Sequence, residues 1–234
     1  PKKAESLVIG ISGGIDSSVT STLCAMTGLK TIVLTMPIKQ ISSQHDLSLK
    51  HKNWLKEKFA NVESHIIKLD EVFNSFNSSL SSFDNEHGMA NSRARIRMTT
   101  LYQVAAANKG IVVGTGNKVE DFGVGFYTKY GDGGVDISPI ADCTKTEVWD
   151  LGKELNILKE IIETPPTDGL WDDGRSDEDQ LGVSYDELEW AMTCDLENLD
   201  QKQSDILKIY NKHRKQNLHK MKDIPIFKKK KYDL

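Results

Sequence analysis

Apolar and polar positions alternate along this chain in a repeating order. A short continuous apolar run is followed by a turn and then by a longer stretch with apolar residues three or four apart. Leu7 to Ile11 is such a run, of the kind buried on both faces of a parallel sheet. Ser17 to Thr27 has helical spacing and stops at Gly28. Thr31 to Met36 predicts a second strand, closed by Pro37, and His65 to Leu69 a third. Between them, Ser43 to Asn61 predicts a helix, with Leu47, Leu49, Trp54, Leu55 and Phe59 near the helical period. The polar stretch from Phe73 to Glu86 starts as helix and gives way to loop. Met89 to Asn108 predicts a long helix with Met98, Leu101, Tyr102, Val104 and Ala105 inward. Arg93, Arg95 and Arg97 crowd its first turns.

Ile111 to Gly114 predicts a fourth strand, and Thr115-Gly116-Asn117 opens a loop. Gly123 to Gly134, rich in glycine and aromatics, reads as a mobile loop. Val135 to Ile140 predicts a short strand, and Lys145 to Asn156 a helix with Val148, Trp149, Leu151 and Leu155 inward. Thr164-Pro165-Pro166-Thr167-Asp168-Gly169 breaks the chain, and Asp172 to Asp179 reads as an acidic loop. Ser184 to Cys194 and Gln201 to Asn217 predict helices, the first opened by a Ser184/Glu187 capping box. Strands alternating with helices imply right-handed crossovers and one doubly wound parallel sheet with flanking helices, an α/β fold. The length suits a single domain over 1–234. In such sheets ligands gather at the carboxyl ends of strands, where Ser12, Thr35, Thr115 and the loop before Pro139 stand.

Composition narrows the classes of function. The formal net charge is −4, which gives no overall pull toward nucleic acid. The three cysteines, Cys24, Cys143 and Cys194, are far apart with no C-x-x-C, which argues against disulfides and zinc and for a reducing cytoplasm. Each reads as a small buried apolar residue. No signal peptide and no membrane-length apolar run is visible. The chain starts abruptly at Pro1, leaving room for a segment upstream. The Lys228–Lys231 run reads as a solvated tail.

The candidate chemistry begins where the first strand ends. Gly10-Ile11-Ser12-Gly13-Gly14-Ile15-Asp16-Ser17 leads from strand to helix. Gly13 and Gly14 lack a Cβ and let an anion approach the backbone. The N–H groups that follow open a helix, where donors are unpaired and the dipole favours negative charge. Ser12, Ser17 and Ser18 add hydroxyls, so the loop reads as a phosphate cradle. It is neither the G-x-x-x-x-G-K-[ST] loop nor the G-x-G-x-x-G turn. Asp16 in the first helical turn and Glu120 after the fourth strand are hard oxygen ligands that one sheet rim could bring together. Mg²⁺ facing phosphates needs such a pair. Read singly, Asp16 is a helix N-terminal acid and Glu120 a surface acid.

The S-G-G-x-D-S form resembles the pyrophosphate loop of the ATP pyrophosphatase superfamily, whose members adenylate a substrate and release pyrophosphate. Further segments extend the likeness: Asn91-Ser92-Arg93-Ala94-Arg95-Ile96-Arg97, Gly114-Thr115-Gly116-Asn117-Lys118-Val119-Glu120, Phe126-Tyr127-Thr128-Lys129-Tyr130-Gly131-Asp132-Gly133-Gly134-Val135-Asp136, and His219-Lys220. With them, nearly the whole chain resembles the ammonia-dependent NAD synthetases. The resemblance implies a site for ATP at Gly10, Ile11, Ser12, Gly13, Gly14, Ile15, Asp16, Ser17, Thr115, Lys145 and Thr167, with Asp16 and Glu120 on Mg²⁺. It implies a site for deamido-NAD at Arg95, Phe126, Lys129, Asp136, His219 and Lys220, with Phe126 near the nicotinate ring. Asp132 matches the acid associated with ammonium, and Lys145 suits the adenylyl-transfer step.

Two stretches depart from the family pattern. Pro37 to Ser43, where the family holds adenine and ribose, does not align, and the helix that precedes the first strand has no counterpart. In isolation, Arg93, Arg95 and Arg97 read as a solvated face, Phe126 as core, Thr167 as a turn residue and His219 as a surface histidine. Lys145 at a helix start is unfavourable beside the dipole unless an anion stands near it.

The implied reaction is ATP-dependent amidation of deamido-NAD by ammonia, giving NAD, AMP and pyrophosphate through an adenylated nicotinate. A carboxylate resists ammonia because it is anionic and lacks a leaving group, and AMP supplies one. The small-molecule partners are then deamido-NAD, ATP and ammonia, and the family implies a homodimer. The alternatives are another adenylating enzyme, tRNA-thiolating or GMP-forming, and a nucleotide-binding domain without turnover. Paired catalytic cysteines and a basic RNA-binding module, which a thiolating enzyme would want, do not occur.

Overall fold

The computed structural model describes residues 3–39, 42–167 and 176–229. Strands β1 (Ser6–Gly10), β2 (Lys30–Thr35), β3 (Val62–Ile66) and β4 (Gly110–Val112) form one parallel sheet in the order β3-β2-β1-β4. The α/β expectation therefore holds. Helices α1 (Ile15–Met26) and α2 (Ser42–Lys58) make the crossovers to β2 and β3. Helices α3 (Asp70–Ser79) and α4 (Glu86–Ala107) lead to β4, on the other side of β1. The strand order thus reverses beside β1, which opens a crevice above its carboxyl end.

Side-chain alternation assigns β1 to two cores. Leu7, Ile9 and Ile11 pack with Cys24 and Ala25 of α1, Leu55 of α2, and Val33. Val8 packs on the opposite face with Ile32, Leu34, Phe73 of α3 and Ala105 of α4. Each aliphatic buried this way contributes about 1.5–3 kcal/mol. The long helix has Leu101, Tyr102 and Val104 against the sheet, as its periodicity predicts, but Met98 turns to the crevice.

A second, helical layer covers the crevice. It comprises α5 (Lys145–Glu154), α6 (Lys159–Ile162), α7 (Asp177–Leu181), α8 (Tyr185–Thr193) and α9 (Gln201–Met221). A π-helical turn, Lys118–Val124, joins the layer to β4. Among the described residues no helix is long and apolar enough to cross a membrane.

Some elements differ from the sequence expectation. The third strand lies about three residues earlier, because Val62 is its one buried side chain and anchors it to the core, while Glu63 to Ile66 are partly or fully exposed. Val135 to Ile140 shrinks to one bridge, Val113 to Ile137. Asp177 to Asp179, read as loop, open α7 under a Ser176/Asp179 capping box. The rest of that acidic stretch, 172–175, lies outside the described residues, as do Asp168 and Gly169. The glycine-rich stretch is folded against α4: Gly131 and Gly133 N–H donate to the Thr128 carbonyl, and Thr128 Oγ1 donates to Asn91 Oδ1 at 2.6 Å.

Candidate active site

A cavity of about 690 Å³ opens above the carboxyl end of β1, between the sheet and the helical layer. Its floor is the loop Gly10–Ser17. Gly13 adopts φ 93°, a conformation that a side chain strains. Gly14 precedes α1 without a side-chain cap, so among the described residues the donors of the first turn are left without a capping side chain. Ser12 Oγ accepts from Gly14 N–H and lies 3.1 Å from Ser17 Oγ. Ser18 differs from its expected role: it is buried and its hydroxyl donates to the Gly14 carbonyl, bracing the turn from behind.

One wall carries a buried charge cluster. Lys145, the first residue of α5, reaches Asp16 Oδ2 at 2.5 Å and Glu120 Oε1 at 2.9 Å. This accounts for a lysine at a helix start. Burial works against its ammonium, but the two carboxylates outweigh that and hold it above the ordinary lysine range. Burial likewise works against Glu120, yet Lys145 and the Tyr185 hydroxyl keep its carboxyl below the usual range. Asn117, fully buried, ties the pair together. Its Nδ2 donates to Asp16 Oδ1 at 2.9 Å, and its Oδ1 accepts the N–H groups of Val119 and Glu120. α5 is fixed by a Thr144/Glu147 capping box and by Thr146, whose N–H and hydroxyl donate to Glu189 of α8.

Two carboxylates that converge on one ammonium are a fit for a divalent cation completed by phosphate oxygens and water. Among the described residues no group of three metal-ligating side chains exists. Such an ion would therefore depend on the nucleotide for the rest of its shell.

The opposite wall is more open. Asp132 accepts from Thr128 N–H at 3.0 Å, and burial raises its carboxyl despite that bond. Lys220, at the end of α9, donates to the Gly125 and Tyr127 carbonyls. Lys129 Nζ donates to the His219 carbonyl, and Arg95 Nε to the Lys129 carbonyl. Phe126 both lines the cavity and packs on the helical core. Thr115 and Thr167 complete the lining, so every residue assigned above to ATP, ammonium, metal or deamido-NAD reaches this cavity except one. Asp136 is exposed, and its carboxylate accepts from the Tyr102 hydroxyl and Val112 N–H instead.

Residues not singled out in the sequence also converge here. Tyr185, fully buried at the start of α8, donates to Glu120 Oε1 at 2.6 Å and lies 3.1 Å from Asp177 Oδ2. Asp121 places its carboxylate where a Cβ on Gly116 would stand, and burial next to Glu120, Asp132 and Asp16 pushes it up to about 8. Its adjacency to Glu120 was the one signal in the sequence. Arg97 belongs to the wall beside Met36.

Residues 1–231 match the sequence profile of NAD synthase. The NH3-dependent NAD+ synthetase of Sulfurisphaera tokodaii is 38% identical over 84% of this chain and 69% of its own length. That of Mesoplasma florum is 40% identical over 80% of this chain and 75% of its own length. Among solved structures, the NMN synthetase of Francisella tularensis superposes with a TM-score of 0.86 at 35% identity, covering 95% of this chain and 89% of that one. The NH3-dependent NAD synthetase of Campylobacter jejuni gives 0.76 at 29% identity, over 97% and 91%. A phosphate loop facing a lysine-bridged pair of carboxylates, in a chain matched along nearly its full length, thus makes this protein a member of the NAD synthase family.

Proposed function

We propose that the chain is a ligase that amidates deamido-NAD with ammonia at the expense of ATP, giving NAD, AMP and pyrophosphate. The observation that carries this is the shared cavity: a phosphate cradle, the Lys145-bridged Asp16 and Glu120, and Asp132 all face one space. The curated relatives named as NH3-dependent NAD+ synthetases support it.

Positioning and charge neutralisation carry most of such a reaction. The nicotinate carboxylate attacks the α-phosphorus and the bond to pyrophosphate breaks. The departing charge meets the N-terminal turn of α1 and Lys145. Asp16 and Glu120 would hold Mg²⁺, which when bound supplies positive charge to the phosphate oxygens. Ammonia then attacks the acyl carbon and AMP leaves. Asp132 attracts ammonium and takes up its proton, and its raised carboxyl suits that exchange. Arg95, Phe126, Lys129, His219 and Lys220 hold the acid substrate. Asp136 keeps its proposed contact only if a second copy's site reaches it, which a homodimer supplies and sedimentation analysis tests.

A second reading concerns the size of the acid. The structural neighbour with a TM-score of 0.86 is an NMN synthetase, which points to the corresponding mononucleotide acid as substrate of the same chemistry. Coupled assays with ATP, ammonium and Mg²⁺ separate the two by kcat/KM. A preference for deamido-NAD supports the first reading, a preference for the mononucleotide acid the second, and no AMP with either rejects both.

A further inference from the structure

The three arginines of α4 have different surroundings. The Arg93 guanidinium lies over the Phe73 ring, 5.4 Å from its centroid. Arg95 is exposed. Arg97 is set into the cavity wall, and its Nε donates to the Met36 carbonyl, just past the carboxyl end of β2, at 3.0 Å. That bond uses one of five N–H donors. Among the described residues no carboxylate pairs with Arg97, and no acceptor takes its terminal nitrogens.

Arg97 is half-buried, and among the described residues its one hydrogen bond leaves the guanidinium fork to the cavity. Burial lowers Arg97 to about 10, with Arg93 adding to the effect and Asp132 and Asp70 opposing it, so it remains a cation at neutral pH. Packing beside Met36 and Leu101 does not call for the charge, and Asp132 and Asp70, which favour it, form no ion pair with it among the described residues. The open fork is complementary to an oxyanion.

Its place narrows which oxyanion. A Cβ on Gly10, where the phosphate loop begins, would meet both Met36 and Leu101, and Leu101 is one helical turn from Arg97. Arg97 therefore stands at the entry of the loop on the β2 flank of β1. Lys145 and Glu120 stand on the β4 flank, beside the helix terminus that suits pyrophosphate. Asp132, the acid assigned to ammonia, is close enough to act on the Arg97 charge. The group common to both halves of the reaction, and lying between these flanks, is the α-phosphoryl group.

We propose that Arg97 is a further catalytic residue whose terminal N–H groups hold the α-phosphoryl group through both steps. In the first, the carboxylate oxygen bonds to phosphorus and the P–O bond to pyrophosphate breaks. In the second, the ammonia nitrogen bonds to the acyl carbon, the C–O bond breaks and the electron pair leaves on the phosphate oxygen of AMP. Asp132, having released the ammonium proton to water, takes the proton that this nitrogen then sheds. This rests on the amidation reading of the cavity.

The test uses Arg97→Met and Arg97→Lys in the whole chain. Calorimetry gives the affinities for AMP and pyrophosphate, urea titration the unfolding midpoint, and steady-state assays kcat and KM. Arg97→Met is expected to weaken AMP about 10–100-fold and to lower kcat by about 10²–10³. Pyrophosphate binding should stay unchanged, and the urea midpoint should change little, since Arg97 gives up only its bond to the Met36 carbonyl. Arg97→Lys should recover only part of kcat. A lowered midpoint with unchanged AMP affinity would make Arg97 structural and overturn the proposal, as would equal losses for AMP and pyrophosphate. If the wild type binds AMP but amidates neither acid, the reaction reading falls, and the AMP comparison still decides for or against the Arg97 contact.

Discussion

The two sides of the cavity hold charge in different ways. On the sheet side, Gly10–Ser17 is continuous in sequence and offers mainly backbone N–H groups at a helix start. On the helical side, Asp16, Asn117, Glu120, Lys145, Asp177 and Tyr185 come from separate elements and meet as side chains. The first is set by local backbone conformation. The second exists only while α1, α5, α8 and the π-helical turn keep their places, and it balances buried charges against each other. A backbone site should therefore fail by local strain, and the side-chain site by loss of charge balance.

Removing the cation from the assembled side should have the largest effect. Lys145→Met leaves Asp16 and Glu120 buried without their partner, with an expected loss of about 3–5 kcal/mol of unfolding free energy and of detectable turnover. Urea titration with and without Mg²⁺ sharpens the comparison, because the bare carboxylate pair should regain stability from the ion. Absence of any Mg²⁺ response would count against Asp16 and Glu120 as a metal pair.

On the sheet side, Gly13→Ala forces a Cβ onto a φ of 93°. A loss of about 2 kcal/mol is expected, together with a raised KM for ATP and little change in Mg²⁺ response. Tyr185→Phe is a finer cut on the other side. It keeps the ring but takes one donor from Glu120, for about 1–1.5 kcal/mol and a higher Mg²⁺ requirement for half-maximal rate. An unaltered Mg²⁺ requirement would reduce Tyr185 to a packing residue.

The smallest effect lies outside both sides. His51 is buried between α1 and α2 against Ser21 and stacked on Trp54, and burial lowers it to about 4, partly opposed by its bond to the Ser18 carbonyl. The unfolded chain takes up that proton near pH 6.5 and the folded chain does not until about 4. The stability so gained is complete above about 6.5 and lost as pH falls toward 4. Between pH 7 and 5.5 the loss should be about 1 kcal/mol. Urea midpoints at the two pH values should differ less in His51→Gln than in the wild type.

Legibility in the sequence followed the range of the forces. β1 is one residue from its expected span, because a continuous apolar run before a glycine turn has few alternatives. β3 was misplaced because an edge strand needs little apolar pattern of its own and takes its register from β2. Val135 to Ile140 did not extend as a strand because the pairing is limited to Asp136 and Ile137 beside Val112 to Gly114, and the Asp136 carboxylate takes the Val112 N–H. Tyr185 and Arg97 carried no local mark. The first looks like any aromatic at a helix start, the second like one more cation on a polar face.

The alternation of strands and helices and the phosphate loop were determined by sequence alone. Periods of two and of about 3.6 residues, and the freedom of glycine, act between neighbours along the chain. Tertiary structure decided which carboxylates share Lys145, that Asp136 turns away to Tyr102, and that Arg97 lines the cavity with its Nε on the Met36 carbonyl. Those outcomes depend on where burial removes water, and burial is a property of the packed elements together.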